Sequence, residues 1–131
     1  MSNLIYDIKR GYLTWNGRSY RAISGPFRNG TLETGKYRIE TKKVVSNILN
    51  KVGFQSSGSN QGWFIPLSPL FDSNRFGLGI HPDGGQKGTE GCIGIQGQAA
   101  EMFWKAWLTA SLNNRPNYLV VVEDAKAEAV T

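Results

Sequence analysis

Cysteine and histidine are almost missing from this chain, which has one of each, Cys92 and His81, in 131 residues. A single cysteine excludes an internal disulfide and a Cys-rich metal cluster, so the fold must stand on packing and the thiol is left for chemistry. One histidine, one cysteine and scattered carboxylates do not form a metal-ligand set, so neither a metal nor a cofactor is expected. No run of about 18 apolar residues occurs, which argues against membrane insertion, and the opening MSNLIYDIKRGYL lacks the apolar centre of a signal peptide. The expectation is synthesis in the cytoplasm without a signal peptide, with any substrate in the periplasm or wall reached through a secretion machine or host lysis. Dense basic blocks are missing as well. The formal charge is +5, yet Lys9, Arg10, Arg18, Arg21, Arg28, Lys36, Arg38, Lys42 and Lys43 are scattered and no nucleic-acid motif accompanies them. Nucleic acid is therefore not an expected partner. The charge reads first as a solubilising surface, and it would also draw the protein to an acidic polymer.

The length suits one domain with one core, 1–131, ending in a frayed tail over about 125–131. Hydrophobic residues make up 40%, too apolar for a disordered chain. The stretch LIYDIKRGYLTWNGRSYRAIS alternates apolar and polar residues as successive short strands, and Asn16-Gly17 supplies a two-residue hairpin turn. KYRIET predicts a strand with Tyr37 and Ile39 on one face. KKVVSNILNKVGF mixes a β-branched run with a helical face and is read as a short helix or irregular segment, and QSSGSNQG reads as an exposed loop. WFIPLSPLF and RFGLGIH predict short strands, the second delivering His81 at its end. From Gln96 to Asn113, Ala99, Met102, Phe103, Ala106, Trp107 and Ala110 recur at helical spacing and predict one long helix packed on a sheet. NYLVVVED predicts a strand buried on both faces. The fold class is mainly β with one long α-helix.

Cys92 lies between a glycine, Gly91, and the strand-like CIGI, so the backbone N–H groups at that bend could face a developing oxyanion. A hairpin-like return of the glycine-rich loop would bring His81 to the thiol as its base. A thiolate would then attack a peptide carbonyl and the imidazolium would protonate the leaving amine. Thr89 and Glu90 are placed to hold the loop or the substrate. Asp83 or a backbone carbonyl is the candidate to orient the ring. The alternative is structural, with His81 capping a turn and Cys92 filling a strand. Trp15, Tyr20, Trp63 and Phe76 are either core or the lining of a groove.

The stretch IHPDGGQKGTEGCIGI resembles the signature of the L,D-transpeptidases, in which a strand-borne histidine precedes a Ser/Thr-His-Gly-Cys motif. His81 matches the base, Thr89 the Ser/Thr position, Gly91 the glycine and Cys92 the nucleophile. Glu90 stands where the motif has its second histidine, and Gly94 where Arg or Asn is usual. With YLTWNGRSYRAISGP and GTLETGKYRIE, the pattern is more similar to a divergent branch that contains type VI secretion L,D-transpeptidase-like effectors. The resemblance runs from about Tyr6 through Phe103 and implies an L,D-transpeptidase-like β-sandwich or barrel acting on peptidoglycan stem peptides. The bond would join meso-diaminopimelate to D-Ala, with L,D-carboxypeptidase or D-amino-acid exchange as the outcome. Arg28, Arg75 and Lys87 are candidates for the substrate carboxylate. An antibacterial effector with a cognate immunity protein is the first biological reading. A phage or prophage endolysin and a non-catalytic wall-binding module are the competitors.

Overall fold

The computed structural model describes residues 3–25, 30–46, 62–83 and 91–123. The first predicted hairpin is present: β2 (Tyr12–Trp15) and β3 (Arg18–Ser24) pair antiparallel around Asn16 and Gly17, with φ of 51° and 76°. Those two positive angles are what a turn of the primed type requires, hence the Asn-Gly pair. β1 (Leu4–Asp7) joins β2 through a turn in which the Asp7 carboxylate accepts from the Lys9 and Arg10 backbone N–H groups, at 3.0 and 3.2 Å.

β4 (Gly35–Ile39), β5 (Val45–Ser46), β6 (Trp63–Pro69), β7 (Leu78–Pro82), β8 (Ile93–Ile95) and β9 (Tyr118–Val122) complete one sheet in the order β4-β9-β1-β2-β3-β8-β7-β6-β5. An added β4–β6 pairing closes eight of these strands into a barrel, with β5 appended to β6. Closure removes the open edges that a sheet of this size would otherwise expose. Tyr37 and Ile39 both face the core, as their alternation predicts.

Four sequence expectations are corrected. At KKVVSNILNKVGF, a 3-10 turn over Thr41–Lys43 and a short strand, Val45–Ser46, are formed; 47–54 lie outside the described residues, as does nearly all of the loop expected at 55–62. The strand expected to be short in WFIPLSPLF, β6, is seven residues long and runs through Pro66. Pro66 O accepts from Glu40 N at 3.0 Å, so its ring nitrogen faces the same side, where β4 ends and the ladder needs no donor. β9 buries Leu119 and Val121 on one face only, its other residues being half-exposed on the outside of the barrel. The helix α1 (Gly97–Thr109) is shorter than expected and stops before a 3-10 turn at Leu112–Asn114. The tail at 125–131 lies outside the described residues.

One face of α1 enters the core, through Ala100, Phe103 and Trp107. Ala99, Ala106 and Ala110 pack partly buried beside them, whereas Met102 is 56% exposed and belongs to the opposite side. Phe103 is the hub. Its ring lies 5.2 Å from Tyr20 edge-on, 5.8 Å from Trp15 and 5.8 Å from Trp63, and Trp63 stacks on Trp104 at 4.9 Å. Trp15, Tyr20 and Trp63 are therefore core residues, while Phe76 is 90% exposed. Among the described residues no helix is long and apolar enough to cross a membrane.

Candidate active site

β7 and β8 position the two scarce residues. They pair parallel, Ile80 beside Ile93 and His81 beside Gly94, which corrects the hairpin-like return expected from the glycine-rich loop. Continuing the register by one residue sets Cys92 level with Gly79. Side chains alternate across a strand, so Ile80, Ile93 and Ile95 turn into the core while Gly79, His81, Cys92 and Gly94 share the outward face. His81 and Cys92 are thus diagonal neighbours. Two residues of rise and one strand spacing separate their Cα atoms by about 8 Å, a span an imidazole and a thiol can close.

Glycine at 79 makes room on this face for a ring from the neighbouring strand. A Cβ at Gly79 would fall 2.3 Å from Phe64 Cζ, so its absence lets the Phe64 ring lie over β7. Phe64 stands opposite His81 on β6 and stacks on the imidazole, with centroids 6.0 Å apart and planes 14° from parallel. This packing leaves His81 only 4% exposed on a face that otherwise points outward.

His81 Nδ1 lies 2.7 Å from Pro82 O. A carbonyl only accepts, so Nδ1 carries the proton and, in the neutral ring, Nε2 holds the lone pair. Burial pushes the imidazole pKa below its ordinary value of 6.5, and the Pro82 carbonyl and the Asp83 charge oppose that shift. The lowered value favours the neutral ring at pH 7, and in that tautomer the lone pair is on Nε2, the atom a general base would use. The orienting group is the backbone carbonyl, one of the two candidates the sequence offered. Cys92, half-buried, donates to Gly77 O over 3.6 Å. Gly77 immediately precedes β7, so this bond points Sγ toward the start of that strand, and a rotation about χ1 is what would turn it toward His81.

Gly91 is buried with φ 125°, in the region that L side chains rarely adopt, which gives the glycine before Cys92 a conformational reason. Thr89, Glu90, Lys87 and Arg28 lie outside the described residues. Arg75 is placed: its Nη1 donates to Thr31 O at 2.7 Å and its Nε lies 3.6 Å from Glu33. A substrate carboxylate at Arg75 would compete with Glu33. Two residues escaped the reading of the sequence. Phe64 carried no signal beyond an alternating strand, and Gln96, which donates to Asp83 Oδ2 at 2.6 Å and Gly94 O at 3.3 Å, looked like an ordinary residue before a helix.

A cavity of about 890 Å³ lies elsewhere, between the β2–β3 turn and the second half of α1, lined by Trp15, Arg18, Tyr20 and Lys105 among others. Neither His81 nor Cys92 lines it. Among the described residues no three His, Cys, Asp or Glu side chains converge to hold a metal ion. Compared with protein-family models, curated proteins and solved structures, the chain matches none.

Proposed function

We propose that the protein is a cysteine-dependent acyl-transfer enzyme that cleaves or exchanges the bond between meso-diaminopimelate and D-Ala in peptidoglycan stem peptides. One observation carries the acyl-transfer chemistry: Cys92 and His81 share one face of a parallel strand pair, with the imidazole held as a neutral Nε2 base by Pro82 O. The choice of substrate rests on the resemblance of IHPDGGQKGTEGCIGI to the L,D-transpeptidase signature. In this reading His81 Nε2 takes the Cys92 proton and the thiolate adds to the peptide carbonyl. The imidazolium returns that proton to the departing D-Ala amine as a thioester forms. Water then releases the tripeptide, or the amine of a free D-amino acid takes the acyl group. Backbone N–H groups at Gly91 and Cys92 are the candidates to receive the oxyanion.

A role as an antibacterial effector, acting in the periplasm on a wall that needs tetrapeptide donors, follows from the same resemblance. The immunity protein is part of that proposal. The test is mass spectrometry of tetrapeptide-rich muropeptides incubated with the protein or with Cys92→Ala, with and without a free D-amino acid. Loss or replacement of the terminal D-Ala by the intact protein alone is the expected result. Unchanged muropeptides with both proteins would overturn the enzyme reading, and binding of both to sacculi would then favour a wall-binding module.

A further inference from the structure

Gln96 occupies the N-cap position of α1, yet its side chain makes no capping bond. It turns back to the end of the strand pair, where Nε2 donates to Asp83 Oδ2 at 2.6 Å and to Gly94 O at 3.3 Å. Both partners are acceptors, so the amide orientation is fixed by chemistry. The Gln96 backbone N–H is also held, by Arg21 O on β3 at 2.9 Å. Asp83 is tied in turn, its N–H donating to Ile95 O at 2.9 Å.

The Pro82–Asp83 peptide unit therefore has two ends in use. Its N–H is pinned to β8, and its C=O accepts the Nδ1 proton of His81 at 2.7 Å. A peptide plane is rigid, so whatever fixes the Asp83 N–H fixes the carbonyl that orients the ring. Hydrogen bonds in such a chain also polarise one another. From these contacts we infer that Gln96 and Asp83 are positioning residues, a clamp joining the start of α1 to the imidazole and fixing the ring's tautomer and direction toward Cys92. This deepens the acyl-transfer reading and, as a statement about catalysis, rests on it. Among the described residues, the groups facing His81 are Phe64 from β6, Cys92 beside β8 and Asp83 just past the end of β7, with Arg21 further along the same outward face and its guanidinium over the Tyr12 ring at 5.7 Å. Only Asp83 among them places an anion near the ring.

Because His81 is the single histidine, its ring nitrogens can be read in the full chain without assignment ambiguity. The experiment is a pH series of ¹⁵N-labelled protein, with long-range ring correlations recorded for the wild type, Gln96→Leu and Asp83→Asn, and amide spectra confirming the fold. The wild type should show the Nδ1–H tautomer when neutral. Gln96→Leu should mix the tautomers, and Asp83→Asn should move the His81 midpoint downward, since the charge that raises it is gone. On muropeptides, kcat should fall by roughly ten- to a hundredfold with KM held within about twofold. A ring whose tautomer and titration are the same in all three folded proteins overturns the clamp, whatever the activities. A ring that responds as expected while the wild type leaves muropeptides untouched upholds the clamp and removes the peptidoglycan reading. If Gln96→Leu fails to fold, Asp83→Asn still decides through the ring's midpoint.

Discussion

At the scale of the residue, the proposed acyl-transfer chemistry turns on one ring. His81 is nearly inaccessible, and its pKa is held below 6.5 chiefly by burial, against the smaller opposing effects of Pro82 O and Asp83. Linkage fixes the sign of the consequence. Between the lowered folded value and the unfolded 6.5, the unfolded chain binds more protons than the folded one, so stability rises with pH. The contribution is complete above about 6.5 and is lost as pH falls through the folded value. Urea unfolding of the wild type and His81→Gln at a series of pH values from about 7.5 to about 4.5 should show the two curves converging in slope above neutrality. Below it, the wild type should lose stability faster. A pH dependence identical in the two proteins would mean the ring is not buried neutral. The sequence made Cys92 and His81 visible because each is the sole residue of its kind, and Gly91 because a glycine beside a nucleophile invites a conformational explanation. It hid Gln96, since nothing local tells that an amide at an N-cap will bond backward to a strand.

At the scale of the element, hydrophobic alternation was enough to find most strands and the Asn16-Gly17 hairpin, because period and turn chemistry are local properties. The pairing of β7 with β8 was not legible. A glycine-rich connection suggests a hairpin, and only the rest of the barrel decides that the chain returns to run parallel. The length of β6 was not legible either, since a proline such as Pro66 is tolerated wherever its missing donor faces a gap in the ladder. The parallel register has a consequence for Gly79, which lies beneath Phe64. Gly79→Ala places a methyl group where the ring now sits; the ring, as the far end of a side chain, moves off His81. A loss of about 1–2 kcal/mol is expected by chemical denaturation, together with a higher His81 midpoint as the ring becomes hydrated. In a Phe64→Ala background the same change should cost much less, so the double-mutant cycle should show strong coupling. Equal costs in both backgrounds would remove Phe64 from the account.

At the scale of the whole molecule, α1 and the closed barrel share one core, and the helix stripe divides into residues that enter it and residues that do not. Phe103 touches aromatic rings from β2, β3 and β6, so Phe103→Ala should cost about 3–5 kcal/mol in unfolding free energy. Met102, its sequence neighbour and equally apolar, should cost less than about 0.5 kcal/mol when changed to Ala. Similar costs for the two would contradict the placement of the helix. Sequence spacing set Met102 beside Phe103 in one stripe because helical periodicity defines a face only to within a turn's width; the barrel closure through β4 and β6, being long-range, had no local trace at all.

Charge is the property that belongs to the molecule rather than to any site. A formal +5 spread over scattered lysines and arginines raises the local concentration of an acidic polymer around the protein. Such attraction is screened on a scale of about 10 Å at 0.1 M salt. The two parts of the proposed function should therefore separate. Sedimentation with purified sacculi should show the bound fraction of Cys92→Ala falling steeply as salt rises from about 20 mM to about 300 mM, because this retention depends on long-range charge. Turnover of small soluble muropeptides by the intact protein should change little over the same range, since it depends on the buried His81 and the half-buried Cys92. If salt abolishes turnover of the soluble fragments as well, an exposed cation takes part in recognising the stem peptide. Arg75 would then be the first described side chain to replace, because its guanidinium already holds a carboxylate, Glu33, that a substrate could displace.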